Sequence, residues 1–163
     1  VLLTVSYGLS LTDAASRAAG FVLLATIARP VGGWFSDKVG AKRVVIGSLG
    51  STIVLAAFVA LQPTLEPQTT GAYLSLAFVL GCANGAVFAL VGRLAKPEVM
   101  GSVTGIVGAA GGFGGFLPPL LLGLTYQRTQ SYSLALILLS ITALIVLIYI
   151  TRRFRNKHIY GTV

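Results

Sequence analysis

The chain has 163 residues, 55% of them hydrophobic and 10% charged, with 12 basic side chains against 4 acidic ones and a net charge of +8. Soluble domains carry roughly 25% charged residues, so a chain with a mean hydropathy of +0.88 has too little polar surface for a water-soluble globule. It is also too apolar for disorder, which needs the opposite bias.

A helix needs roughly 20 mostly apolar residues to cross ~30 Å of hydrocarbon. In chain order, residues 1–9 read as the end of a preceding span. The first full span runs over 14–35, interrupted by Arg17 and Arg29. Four more follow at 44–61, 71–93, 100–125 and 131–151, and residues 152–163 form a basic tail. Barrel strands would alternate apolar and polar residues. These segments are apolar all round, which predicts an all-α integral membrane protein with five full transmembrane helices and the end of a sixth. The chain begins at Val1 with no basic n-region and no small-residue cleavage site. It therefore reads as part of a longer protein rather than as a signal peptide.

Breakers separate the spans. Gln62-Pro63-Thr64 and Glu66-Pro67 end the second span, and Lys96-Pro97-Glu98 divides the third from the fourth. Pro118-Pro119 lies inside the fourth, where lost donors and ring clashes predict a kink or break. The loop charges orient the set. Lys38, Lys42 and Arg43 follow the first span, Arg93 and Lys96 the third, and Arg152, Arg153, Arg155 and Lys157 the fifth; the intervening loops hold only Arg128. The positive-inside rule places the first group, and with it the C-terminal tail, in the cytoplasm of a cell-membrane protein. The net charge is thus topological and does not point to nucleic acid. The bilayer is the first partner implied, and the tail is suited to touch anionic headgroups.

A single Cys82 cannot close an internal disulfide, and one Cys with one His argues against a protein-only zinc cluster. With no nucleophile–base pair in view, an enzyme is not expected, nor is a cofactor or metal.

The turn after the first span reads Gly33-Trp34-Phe35-Ser36-Asp37-Lys38-Val39-Gly40-Ala41-Lys42-Arg43. Gly33 allows close helix approach, Gly40 a tight turn, and Lys42 and Arg43 hold the turn in the cytoplasm. Asp37, the one acid there, is placed to cap a helix N-terminus. This stretch resembles the loop signature of the major facilitator superfamily. The resemblance implies a helical bundle of that type, with this chain as its C-terminal six-helix half. It also implies that Asp37 anchors the contact between halves by facing a helix N-terminus of the absent N-terminal half. The local alternative is a pair with Lys42 or Arg43.

The fourth span carries Gly101, Gly105, Gly108, Gly112 and Gly115 at spacings of four and three, together with Gly111 and Gly114. Such a face lets a neighbouring backbone come very close. Gly81 and Gly85 repeat the idea in the third span, with Asn84 between them as a polar group suited to lining or packing. The stretches 81–88 and 105–118, with Ala28-Arg29-Pro30-Val31-Gly32-Gly33, resemble the nitrate/nitrite porters of that superfamily, although Ala83 stands where glycine is common. This resemblance implies a secondary transporter of nitrate and nitrite working by alternating access, with the chain running from the end of helix seven through helix twelve. It places Gly105 and Gly108 beside the anion.

Arg29 stands out on physical grounds. It lies eight residues before Asp37, or ~12 Å into the membrane at 1.5 Å per residue. An arginine near the bilayer centre costs about 2.5–3.5 kcal/mol on insertion scales. Arg17, near the outer end, can snorkel. Asp13, Asp37, Glu66 and Glu98 all fall near span ends, so no acid of this chain lies at the depth of Arg29. Arg29 is therefore the expected anion ligand. A carrier of another small anion and a non-transporting membrane sensor or scaffold are the alternatives; the latter would not need an uncompensated Arg29.

Overall fold

The computed structural model describes residues 2–61, 67–129 and 133–155. The breakers Gln62-Pro63-Thr64 and Glu66, the start of the last expected span, His158 and the tail beyond residue 155 lie outside the described residues. The elements are α1 (Leu2–Tyr7), α2 (Leu11–Val39), α3 (Ala41–Ala60), α4 (Pro67–Leu94), a 3₁₀ turn (Pro97–Val99), α5 (Met100–Thr129) and α6 (Ser133–Arg155). Five helices are long and apolar enough to cross a membrane. No strand is present among the described residues.

Local chemistry sets the helix ends. Ser10 caps α2: its Oγ accepts from the Asp13 amide at 3.1 Å and donates to the Asp13 carboxylate at 2.6 Å. α2 stops at Gly40, whose φ of +92° is open to glycine and strained for other residues. The Gly40 amide donates back to the Ser36 carbonyl at 3.0 Å, closing the turn that lets α3 start one residue later. Gly40 has no side chain to cap α3, and Asp37 does not supply one. The expected N-cap role of Asp37 is thus not realised on its neighbouring helix, because Asp37 still belongs to the last turn of α2. Pro67 opens α4, a position where the missing donor costs nothing.

The helices extend beyond several of the apolar segments. α2 begins at Leu11 and ends at Val39, and α6 runs on through Arg152 and Arg153. Membrane-interface turns keep their helical bonds even where charges interrupt the apolar run. α5 is continuous through Pro118 and Pro119. The expected break is absent: the residues four back from the two prolines are Gly114 and Gly115, the least restricted backbone available.

α4 is the centre of the bundle. α2 and α3 pack on it from two sides, α6 packs on the far side of α3, and α5 leans lightly on α4 and α6. Small residues make these contacts. α3 buries Ala41, Val45, Ser48, Thr52, Ala56 and Val59, a stripe at intervals of three and four, with Ala60 beside its end. α2 buries Ala28, Gly32 and Ser36, one per turn. The Ser36 hydroxyl is satisfied internally by donating to the Gly32 carbonyl at 2.7 Å, and Ser140 of α6 donates to the Ile53 carbonyl of α3 at 3.1 Å. Large apolar side chains point outward instead, among them Val22, Leu23, Ile27, Ile106, Phe113 and Ile145, each more than half exposed. Apolar outside and small inside is the pattern of helices solvated by lipid, where close backbone packing replaces the hydrophobic drive.

Candidate functional site

The α2–α4 crossing is the tightest contact in the molecule, and glycine makes it. A Cβ at Gly32 would fall on the backbone of Cys82, one at Gly81 on the carbonyl of Ala25 and 2.6 Å from the Ala28 Cβ, and one at Gly85 on the carbonyl of Arg29 and 3.0 Å from the Gly33 amide nitrogen. The sequence placed its main glycine face on the fourth span, now α5. There the structure differs: at Gly101, Gly105, Gly108, Gly111, Gly112, Gly114 and Gly115 an added Cβ would meet nothing within 4 Å. Among the described residues no atom lies within 4 Å of a Cβ added at these α5 glycines, and the pair in α4 carries the close approach.

Arg29 sits on that crossing. Its backbone is pressed against Gly85, while its side chain is exposed. Among the described residues Arg29 has no ion pair and no hydrogen bond; the one salt bridge there joins Arg93 and Asp37. One residue from Gly85, the Asn84 Oδ1 is buried without a hydrogen-bond partner. An unpartnered buried amide oxygen costs about 1–3 kcal/mol, so a cation and an unsatisfied amide flank the same helix crossing. The sequence reading named both residues. It did not name Gly85 as the residue that sets the height of Arg29 on its neighbour. Among the described residues Arg29 is not brought together with Gly105 and Gly108, since no packing of α2 on α5 is found there.

The loop motif takes a form the sequence did not reveal. Asp37 pairs with neither Lys42 nor Arg43 as its salt-bridge partner: Arg93, at the end of α4, reaches its Oδ1 at 3.1 Å. The same Arg93 Nη2 donates to the Ser36 carbonyl at 3.1 Å. Arg93 thus caps the negative C-terminal end of α2 and ties it to α4. Lys38 lies 4.1 Å from the centroid of the Trp34 ring, a cation–π contact at the helix end. Arg93 entered the sequence reading as a loop charge; its partner is 56 residues away, and no local spacing announces it. The Asp37 and Arg93 side chains are 70% and 32% exposed. A double-mutant cycle with Asp37→Asn and Arg93→Gln is therefore expected to give a coupling below about 1 kcal/mol in thermal unfolding. Arg93→Gln alone should cost more than Asp37→Asn, because it also strips the Ser36 carbonyl. A coupling well above that range would mean that the pair is desolvated in the assembled protein.

Long apolar helices, lipid-facing large side chains and glycine-mediated crossings define a multi-pass, all-α membrane protein. The chain belongs to the Major Facilitator Superfamily, whose profile matches residues 1–160. Among curated proteins it is 48% identical to the "Probable nitrate/nitrite transporter NarK2" of Mycobacterium tuberculosis over 148 residues, which is 90% of this chain and 38% of that protein. It is 36% identical over 138 residues to the "Nitrite extrusion protein" of Bacillus subtilis, covering 85% of this chain and 34% of that one. It is 34% identical over 154 residues to the "Probable nitrate transporter NarT" of Staphylococcus aureus, covering 94% and 38%. The chain thus spans little more than a third of the length of the relatives it matches. Their names bear out the resemblance read from the glycine-rich motifs. No solved structure matches the chain.

Proposed function

We propose that this chain is the C-terminal half of a twelve-helix secondary transporter that moves nitrate, nitrite or both across the cytoplasmic membrane. Substrate binds near the midplane between this half and an N-terminal half, and the halves rock around it. The observation that carries the reading is Arg29: a guanidinium at membrane depth, exposed on the bundle surface, with no counter-charge among the described residues. The names of the relatives support nitrate and nitrite as the anions. α5 supports a two-half arrangement in its own way. Among the described residues nothing comes within 4 Å of a Cβ on its glycine face, as expected of a surface that a second half would cover.

Flux of nitrate into proteoliposomes holding the intact protein tests the proposal. Saturable uptake or exchange is expected; uptake of another small anion alone would move the assignment to that anion, and no flux would leave a sensor or scaffold. Substitution of Gly105 and Gly108 by Leu should block flux without preventing insertion. Among the described residues nothing lies within 4 Å of a Cβ at either position, so a transport loss with retained insertion would point to the substrate path or the other half. Normal transport with both leucines would reduce these glycines to packing sites. The loop charges further imply that the chain from Arg152 onward lies in the cytoplasm and the stretch 62–70 outside. A cysteine introduced at position 153 should resist membrane-impermeant labelling of intact cells, and one at position 66 should react. The reverse pattern would overturn the orientation.

A further inference from the structure

The outer side of α6 carries a pattern unrelated to anion transport. Ile145, Ile148, Tyr149 and Arg152 recur at intervals of three and one, which is one stripe of a helix, and Arg153 closes its cytoplasmic end. Together these five residues line an open groove of about 390 Å³. On the helical wheel the stripe lies opposite Ser140 and the buried Ala143, the side by which α6 meets α3. Ile145 is 61% exposed and Tyr149 67%. Neither Arg152 nor Arg153 has an ion pair or hydrogen bond among the described residues, and both are exposed.

We propose that this groove binds one anionic phospholipid. Its two ends match the two ends of such a molecule. The guanidiniums present parallel N–H donors to a phosphodiester, and the Tyr149 hydroxyl stands between charge and hydrocarbon, where tyrosine is favoured. One turn and two turns deeper, Ile148 and Ile145 offer an apolar track to an acyl chain. A zwitterionic lipid brings its own cation to the phosphate and gains less from two arginines. Free phosphate has nothing to place on the isoleucines. The site rests on α6 spanning a bilayer and not on which anion is transported.

Native mass spectrometry of the intact, purified protein tests it, with phosphatidylglycerol, phosphatidylcholine and inorganic phosphate as probes. Phosphatidylglycerol adducts should survive on the wild type, and R152Q/R153Q should retain them about thirtyfold less well. Equal retention by wild type and variant, equal retention of the two lipids, or binding of inorganic phosphate alone would overturn the site. If the double variant is not monodisperse, the wild type decides by itself. A photoactivatable phosphatidylglycerol should cross-link within 145–153, and cross-linking elsewhere, or to the same yield from phosphatidylcholine, would refute it. R152K/R153K, which keeps the charge but loses the parallel donors, should retain lipid at a level between wild type and R152Q/R153Q; loss as complete as in R152Q/R153Q would also count against a headgroup site.

Discussion

Gly85→Ala is expected to cripple the protein, although it adds one methyl group. The new Cβ would fall on the carbonyl of Arg29 and 3.0 Å from the Gly33 amide nitrogen. Both obstacles are backbone, so no side chain can swing aside; α2 and α4 must separate. Overpacking of this kind costs typically 1–3 kcal/mol, occasionally more, and here the displacement passes directly to the residue that bears the unpaired charge. We expect a lowered unfolding temperature and a loss of nitrate flux of at least about tenfold, since a shift near 1 Å in a ligand-binding group is enough for that. Gly92→Ala serves as the contrast. It lies on α4 itself, yet its Cβ would meet nothing within 4 Å among the described residues, so thermal stability should be unchanged. If Gly85→Ala and Gly92→Ala behave alike, the α2–α4 crossing does not govern the position of Arg29.

The second large effect is expected at Arg29→Lys, which keeps the formal charge. Nitrate is planar, with its charge spread over three oxygens. A guanidinium is planar too and offers parallel donors in a fixed fork. Two such bonds replace part of the hydration the anion loses on entering a low-dielectric site. Lysine offers a point charge without the fork, and it can lose its proton when desolvated, whereas arginine does not. On the proposed reading, an uncompensated guanidinium at membrane depth costs stability, and a bound anion would offset that cost. Nitrate affinity of purified, monodisperse Arg29→Lys should therefore fall by at least about tenfold, consistent with loss of one charge-assisted hydrogen bond of roughly 1.5–3 kcal/mol. Near-normal affinity would end the bidentate-ligand reading. A defect confined to folding or insertion would instead mark Arg29 as half of a structural ion pair.

Both expectations concern one helix crossing, and it shows which parts of this protein were legible in the sequence. The membrane helices were, because the cost of burying a charge in hydrocarbon is a property of the residue and not of its neighbours. So was the turn at Gly40, whose conformation its own missing side chain permits. The locations of the close contacts were not. Gly81 and Gly85 share their spacing with Gly101 and Gly105, yet the first pair is pressed against α2 and the second faces nothing within 4 Å among the described residues. A glycine stripe records that a backbone can approach; which backbone arrives depends on the packing order of the whole bundle. The salt bridge of Asp37 with Arg93 and the stranded Asn84 Oδ1 belong to the same class. Each is set by the placement of α4 against α2, elements joined by some thirty intervening residues, and short-range patterns carry no information about a partner at that distance. Sequence alone determined what each segment must do to live in a bilayer, and the tertiary structure decided which residues meet once the segments are there.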